Sequence, residues 1–237
     1  MPLFTTALRD REEVARGTLA FRFERPPGFD FAAGQAVNLT LIEPPETDAK
    51  GNSRTFSLCS APHESTLQIA TRMRDTAFKR VLGKLTIGAP LKLRGPMGKF
   101  TLPEDPARNV VMLAGGIGIT PFMSMLREEA HAGSKRPRIL LYSNRRPEDA
   151  PFLAELQGLE GRSPGFRLVS AMIDAAPVPG AWGGIADPDF LARHVGDARG
   201  AVYYLAGPPG MVGSLRKALG AMGAAEADLR TDEFYGY

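Results

Sequence analysis

Val110-Val111-Met112-Leu113-Ala114-Gly115-Gly116-Ile117-Gly118-Ile119-Thr120-Pro121 reads as a short apolar strand, a glycine turn and the start of a helix. Glycines let the chain turn tightly and let a ligand approach the backbone closely. Thr120 suits an N-cap and Pro121 the first helical position, which predicts a helix over 121–130. The free N–H groups and dipole of that helix would face whatever lies above the strand end, an arrangement suited to a pyrophosphate. In open α/β sheets ligands bind outside the carboxyl ends of the strands. The spacing departs from G-x-G-x-x-G, because Pro121 holds the place of the last glycine. A tight strand–helix turn without a ligand would read the same way.

Downstream the alternation recurs. Apolar runs at 139–142, 166–173 and 202–205 predict strands, and helices are expected over 150–157, 187–194 and 208–222, with a last short strand over 228–234. Buried strands alternating with helices indicate a parallel sheet covered on both faces. Ala206-Gly207-Pro208-Pro209-Gly210-Met211 repeats the device of a glycine at a strand end followed by a proline-started helix. Two such turns on one sheet would shape two sides of one cleft, and ordinary capping is the plainer alternative.

Upstream the period changes to two. Leu19, Phe21 and Phe23 alternate, as do Val37, Leu39 and Leu41, then Leu67 and Ile69, then Leu91 and Leu93. Such alternation puts each set on one face of a strand. Turn residues separate the sets, among them Pro26-Pro27-Gly28, Pro44-Pro45 and Gly88-Ala89-Pro90. One helical stretch, 76–85, interrupts them. The fold class is therefore β + α/β: an antiparallel β-barrel (or sandwich) domain over 1–105, then a parallel-sheet α/β domain over 106–237.

Composition narrows the function. The 237 residues are 43% hydrophobic and 23% charged, which argues against disorder and coiled coil. Net charge is +3 with Lys and Arg spread along the chain, so no basic cluster points to nucleic acid or a membrane surface. Cys59 is the single cysteine, which excludes an intramolecular disulfide, a CxxC pair and an iron–sulfur cluster in this sequence. His63, His131 and His194 lack ligand spacing, so no metal is expected. The start lacks a signal peptide's pattern and no apolar run reaches membrane-helix length, so a cytoplasmic protein is expected.

Arg54-Thr55-Phe56-Ser57 follows a polar loop. Alternation puts Arg54 and Phe56 on one face and Thr55 and Ser57 on the other. Arg can fork onto phosphate oxygens, an aromatic can stack on a flat ring, and a hydroxyl can donate to a ring nitrogen. Four such residues also suit a plain barrel strand with a surface Arg.

Arg54-Thr55-Phe56-Ser57, Gly95-Pro96-Met97-Gly98, Gly116 to Pro121, Gly207-Pro208-Pro209-Gly210-Met211 and Glu233-Phe234-Tyr235-Gly236-Tyr237 occur in this order. Together they closely resemble the ferredoxin–NADP reductase superfamily of flavin-dependent oxidoreductases, from about residue 5 to the end. The resemblance implies a six-stranded flavin-binding barrel and a nicotinamide-nucleotide-binding α/β domain. It implies that Arg54 binds the flavin pyrophosphate with Thr55 beside it, that Phe56 packs on the isoalloxazine and that Ser57 hydrogen-bonds near N5. Thr71, Arg72 and Met73 fall where the family's next strand passes the flavin. Thr76, Ala77, Phe78 and Lys79 fall where helix-start N–H groups meet the pyrophosphate. Gly116, Gly118, Ile119, Thr120 and Pro121 would contact the nicotinamide nucleotide, and Gly207, Pro208 and Met211 would border its nicotinamide end. Glu233 and Phe234 would lie near the reacting rings; Ser57 and Glu233 are the catalytic candidates.

The resemblance further implies FAD, with FMN the alternative, and NAD(P)H as co-substrate. The long loop 43–53 favours FAD by offering shelter for an adenosine half. Ser143, Asn144 and Arg145 would hold a 2′-phosphate, whereas Glu148 and Asp149 suit a 2′-hydroxyl, so the nucleotide stays open with a lean to NADPH. Tyr237 would cap the flavin or merely end the last strand. A monomer serving a separate ferredoxin, flavodoxin or oxygenase component is expected. The alternatives are a flavin or ferric reductase with a diffusible acceptor and a non-catalytic nucleotide-binding subunit. Three departures stand out: Phe56 replaces the family's usual Tyr, at about 1 kcal/mol for one hydrogen bond; Ala206 replaces its Cys; and no serine stands at the pyrophosphate helix.

Overall fold

Alternating residues close the first half of the chain into a ring of strands. In the computed structural model, which describes residues 1–174, 187–196 and 199–235, these are β1 (Leu3–Ala15), β2 (Thr18–Glu24), β3 (Ala36–Leu41), β4 (Ser53–Ser57), β5 (Thr66–Arg72) and β6 (Pro90–Met97). They pair antiparallel in the order β4-β3-β6-β1-β2-β5. Beyond β4, Leu58 bridges Ile69 and the Cys59 N–H donates to Gln68 O at 2.7 Å, joining the two edges. Closure leaves no edge open to another chain. Phe21, Phe23, Val37, Leu39, Leu41, Leu67, Ile69, Leu91 and Leu93 all point into one buried core, as their alternation predicts.

The sequence reading did not find β1. Its inward residues include Thr6, whose hydroxyl donates to Glu24 O at 2.7 Å, and 9–13 is charged and exposed. A polar residue at an inward position hides the period of two. The first part of β1 pairs with β6 and the remainder with β2, with a register shift between Leu8 and Asp10.

The second half forms a parallel sheet of β7 (Val110–Gly115), β8 (Arg138–Asn144), β9 (Phe166–Met172), β10 (Val202–Gly207) and β11 (Leu229–Glu233), in the order β11-β10-β7-β8-β9. The chain leaves the centre at β7, runs outward through β8 and β9, and returns to build β10 and β11 on the other side. The strand order thus reverses between β7 and β10. Five α-helices are described: α1 (Ala77–Lys84), α2 (Thr120–His131), α3 (Leu153–Arg162), α4 (Pro188–Val195) and α5 (Pro209–Ala221).

Two helix starts differ from expectation. Gly116, at φ 56°, begins to turn at once, and a 3₁₀ turn over Gly116–Ile119 runs directly into α2. Thr120 is therefore the first residue of α2 rather than its N-cap, with its side chain buried. The helix expected over 150–157 is preceded by a 3₁₀ turn, Pro147–Asp149, and runs over Leu153–Arg162. Buried Leu156 and Leu159 carry it past Gly158 and Gly161.

Two compact units result: Met1–Leu102 with Thr120–Glu128, and Pro103–Ile119 with Glu129–Tyr237. Within the first, Ser124 of α2 donates to Ser60 O at 2.6 Å and Arg127 donates to Cys59 O and to Gln68 Oε1 at 2.8 Å. Within the second, the buried guanidinium of Arg136 holds the carbonyls of Pro103 and Asp105 and lies 3.3 Å from Glu129. No helix among the described residues is long and apolar enough to cross a membrane.

Candidate functional site

In the second unit the two glycine turns meet. A Cβ on Gly118 would stand 2.2 Å from Ala206 O and 2.8 Å from the Gly207 Cα. One on Gly115 would stand 2.5 Å from Met211 Sδ, and one on Gly207 2.5 Å from Met211 Cε. Both turns lie at the carboxyl ends of β7 and β10, where the strand order reverses. That is where open α/β sheets bind nucleotides, because the flanking connections diverge there. The helix α5 begins at Pro209, with Pro208 O accepting the Met211 and Val212 N–H groups.

The residues around this point take distinct positions. Ile119, Thr120 and Pro121 pack their side chains inward, so they offer backbone rather than side chains. The Tyr142 hydroxyl reaches Gly116 O at 3.2 Å and Pro151 O at 3.1 Å. Ser143 and Asn144 are buried at the end of β8, whereas Arg145 is exposed. Neither amide atom of Asn144 has a hydrogen-bond partner, a cost of about 1–3 kcal/mol for each orphaned group. On β11, Glu233 stands opposite Gly207 and accepts from the Tyr235 hydroxyl at 2.5 Å. The Phe234 N–H donates to Gly207 O at 3.0 Å. Tyr237, like Gly236, lies outside the described residues.

In the first unit, β4 and α1 bring the cationic and aromatic candidates together. The Arg54 guanidinium lies 5.1 Å from the Phe78 ring centroid, and the Phe56 and Phe78 rings are 5.9 Å apart. Phe78 is buried in the barrel core, so only its backbone faces outward; Phe56 is half-buried. Thr55 is exposed and Ser57 is buried at the end of β4. Thr71 is buried in β5, while Met73 packs against the core.

Thr76 caps α1, its Oγ1 accepting from the Lys79 N–H. The Lys79 ammonium donates to Arg72 O at 2.7 Å. Burial pushes its pKa down to about 8, and the charges of Arg74, Arg54 and Arg72 add to the shift. Four cations gathered at a helix N-terminus fit an anion. At the other end, Arg11 of β1 donates to Gly83 O at 2.6 Å and Leu85 O at 2.8 Å, capping α1's carbonyls.

Sequence reasoning missed the partner of Arg54. Asp48 takes one edge of its guanidinium at 2.8 and 3.1 Å, and the carbonyls of Lys50, Gly51 and Ser53 take the other. An acid six residues ahead of the arginine in a polar loop was the available signal. Arg74, the fourth cation, was missed as well. Among the described residues no cluster of His, Cys, Asp and Glu could hold a metal ion.

The family described as the oxidoreductase NAD-binding domain matches residues 112–217. Over 98% of this chain, the sequence is 29% identical to the reductase component 2 of terephthalate 1,2-dioxygenase from Comamonas, covering 68% of that protein. The cytochrome P450 reductase GcoB of Amycolatopsis superposes with a TM-score of 0.82 at 26% identity, covering 98% of this chain and 70% of that one. A ferredoxin NADP⁺ reductase from Neisseria gonorrhoeae, solved with FAD and NADP, shares the fold over 98% of both chains, with a TM-score of 0.81 and 24% identity. The closed barrel, the paired glycine turns and these relatives together give the chain the fold and the sequence likeness of the ferredoxin–NADP reductase superfamily of NAD(P)H-dependent flavin oxidoreductases.

Proposed function

We propose that this protein takes hydride from NAD(P)H onto bound FAD and delivers electrons to a separate redox protein, with an oxygenase component the leading candidate and a ferredoxin or flavodoxin next. The observation that carries this reading is the meeting of the Gly118 and Gly207 turns at the strand-order reversal, closed to any side chain. Bound flavin would supply a ring that accepts hydride and releases electrons one or two at a time.

The chain's own groups then have defined tasks. Arg54, Arg72, Arg74, Lys79 and the N–H groups of 77 and 78 hold the diphosphate. Phe56 packs on the ring and Ser57 donates near N5. Gly116, Gly118 and the α2 backbone receive the nucleotide, with Gly207, Pro208 and Met211 at its nicotinamide end, and Glu233 and Phe234 stand beside Gly207 on the next strand. Ser143, Asn144 and Arg145, at the end of β8, take the adenosine end in this reading. Residues 1–105 and 106–237 serve as the two functional domains of a monomer. A single cysteine, buried at Cys59, suits a reducing compartment such as the cytoplasm.

An absorbance spectrum of the purified protein, repeated after anaerobic addition of NADH and of NADPH, tests the proposal. Flavin bands that bleach with a nucleotide and recover with an added oxygenase component are the expected result. A colourless protein that oxidises nucleotide only with added free flavin would replace the protein acceptor by a diffusible one.

A further inference from the structure

Arg54 has one planar fork, and the structure shows it filled. One nitrogen engages both oxygens of Asp48, and the other donates to the carbonyls of Lys50, Gly51 and Ser53 at 2.8–2.9 Å. A diphosphate needs the same donors, because the guanidinium binds carboxylate and phosphate through the same paired geometry. The two anions compete: a diphosphate on Arg54 with Asp48 still in place would set like charges within a few ångström of each other.

The loop carrying Asp48 is held at two points. Asp48 grips Arg54 of β4, and Glu46 grips Arg80 of α1 through paired contacts of 3.0 and 2.5 Å. The loop also ties itself, with the Lys50 and Gly51 N–H groups donating to Asp48. Arg54 shares its surroundings with Lys79, Arg72 and Arg74, and Asp48 is an acid that reaches this cation group through Arg54.

We propose that Asp48 is a built-in competitor for the flavin diphosphate: the two anions exchange on Arg54, and the Asp48 loop swings out when the flavin loads. This rests on the reading that Arg54 is a diphosphate ligand. The consequence is regulatory. Flavin retention is set by exchange of one anion for another, so the holoenzyme gives up its flavin more readily than the bare cation cluster would allow.

Flavin-free chain, titrated with FAD and followed by quenching of flavin fluorescence, tests this without any turnover. Asp48→Asn keeps the loop's size and its Lys50 contact but removes the charge. The expected result is FAD affinity about tenfold higher, with faster association. Arg54→Gln should weaken binding at least tenfold, and adding Asp48→Asn to it should change nothing further, because Asp48 acts through Arg54. Glu46→Gln, which loosens the loop without freeing Arg54, should leave affinity within about twofold of the parent.

Unchanged or weaker binding by Asp48→Asn overturns the proposal, as does a gain by Glu46→Gln equal to that of Asp48→Asn, which would make loop opening the cause. A wild-type affinity in Arg54→Gln would overturn the diphosphate assignment itself, separately from the competition.

Discussion

Gly118 stands where no side chain fits. Its added Cβ would meet backbone, Ala206 O at 2.2 Å, so neither neighbour can yield by rotating a side chain. Gly118→Ala is expected to raise the nucleotide KM at least tenfold and to cost about 1–3 kcal/mol of stability, read from kinetics and a urea midpoint. Ser57→Ala makes the opposite split: flavin content and KM should hold while kcat falls about tenfold or more, since its proposed task is a hydrogen bond beside the reacting atom. A kcat equal to the parent's would remove Ser57 from the mechanism. At this scale the sequence was informative wherever a residue type is obligatory. Glycines at two strand ends stood out because a side chain there would meet its neighbours, and the Arg-Thr-Phe-Ser stretch stood out as a pattern of residue types. Asp48, Asn144 and Arg74 did not, because each is an ordinary polar residue until its neighbours are known.

Among the elements, α1 is where charge decides most. Lys79 falls from an ordinary 10.5 to about 8, chiefly by burial. Its folded pKa is lowered, so the flavin-free fold carries the full cost of the charge below pH 8. That cost is relieved as pH rises from 8 toward 10.5, where the unfolded chain still holds the proton. Flavin has the reverse preference, because its diphosphate favours the protonated ammonium. FAD affinity should therefore fall as pH climbs through 8, and Lys79→Met should flatten that profile in a fluorescence titration. A profile identical in the variant would show that Lys79 does not meet the anion. The strands were legible where they alternate cleanly, and the parallel strands as apolar runs. The first strand was not, because Thr6 interrupts its inward face and its second half serves a charged exterior. The start of α2 was misread for a related reason: capping rules describe a helix that begins abruptly, whereas a glycine in the left-handed region winds this one up through a 3₁₀ turn.

For the whole molecule, the decisive fact is that α2 is divided between the two compact units. Residues 120–128 count with the barrel and 129–131 with the parallel sheet. Neither unit is complete without chain from beyond the connection, so calorimetry should show a single transition whose calorimetric and van't Hoff enthalpies agree. Two resolved transitions would mean the units melt independently. Arg136, which gathers the start of the second unit around Glu129, should be among the costlier side chains to remove: Arg136→Met takes one cation from the half-buried Glu129 and orphans the carbonyls of Pro103 and Asp105, at about 1–3 kcal/mol read from a urea midpoint. The change of period from two to alternating runs and helices was legible in the sequence, but a helix divided between the two compact units leaves no periodicity to read. The reach of Arg11 across to Gly83 and Leu85, 72 and 74 residues away, has a consequence in time as well as in space. Contacts that close long loops form late, since the loop's entropy must be lost before they form. The last turn of α1 therefore waits for the amino-terminal strand. On dilution from denaturant, the ability to quench flavin should lag behind the recovery of secondary structure, so that cofactor capture becomes a clock for the final closure of the barrel.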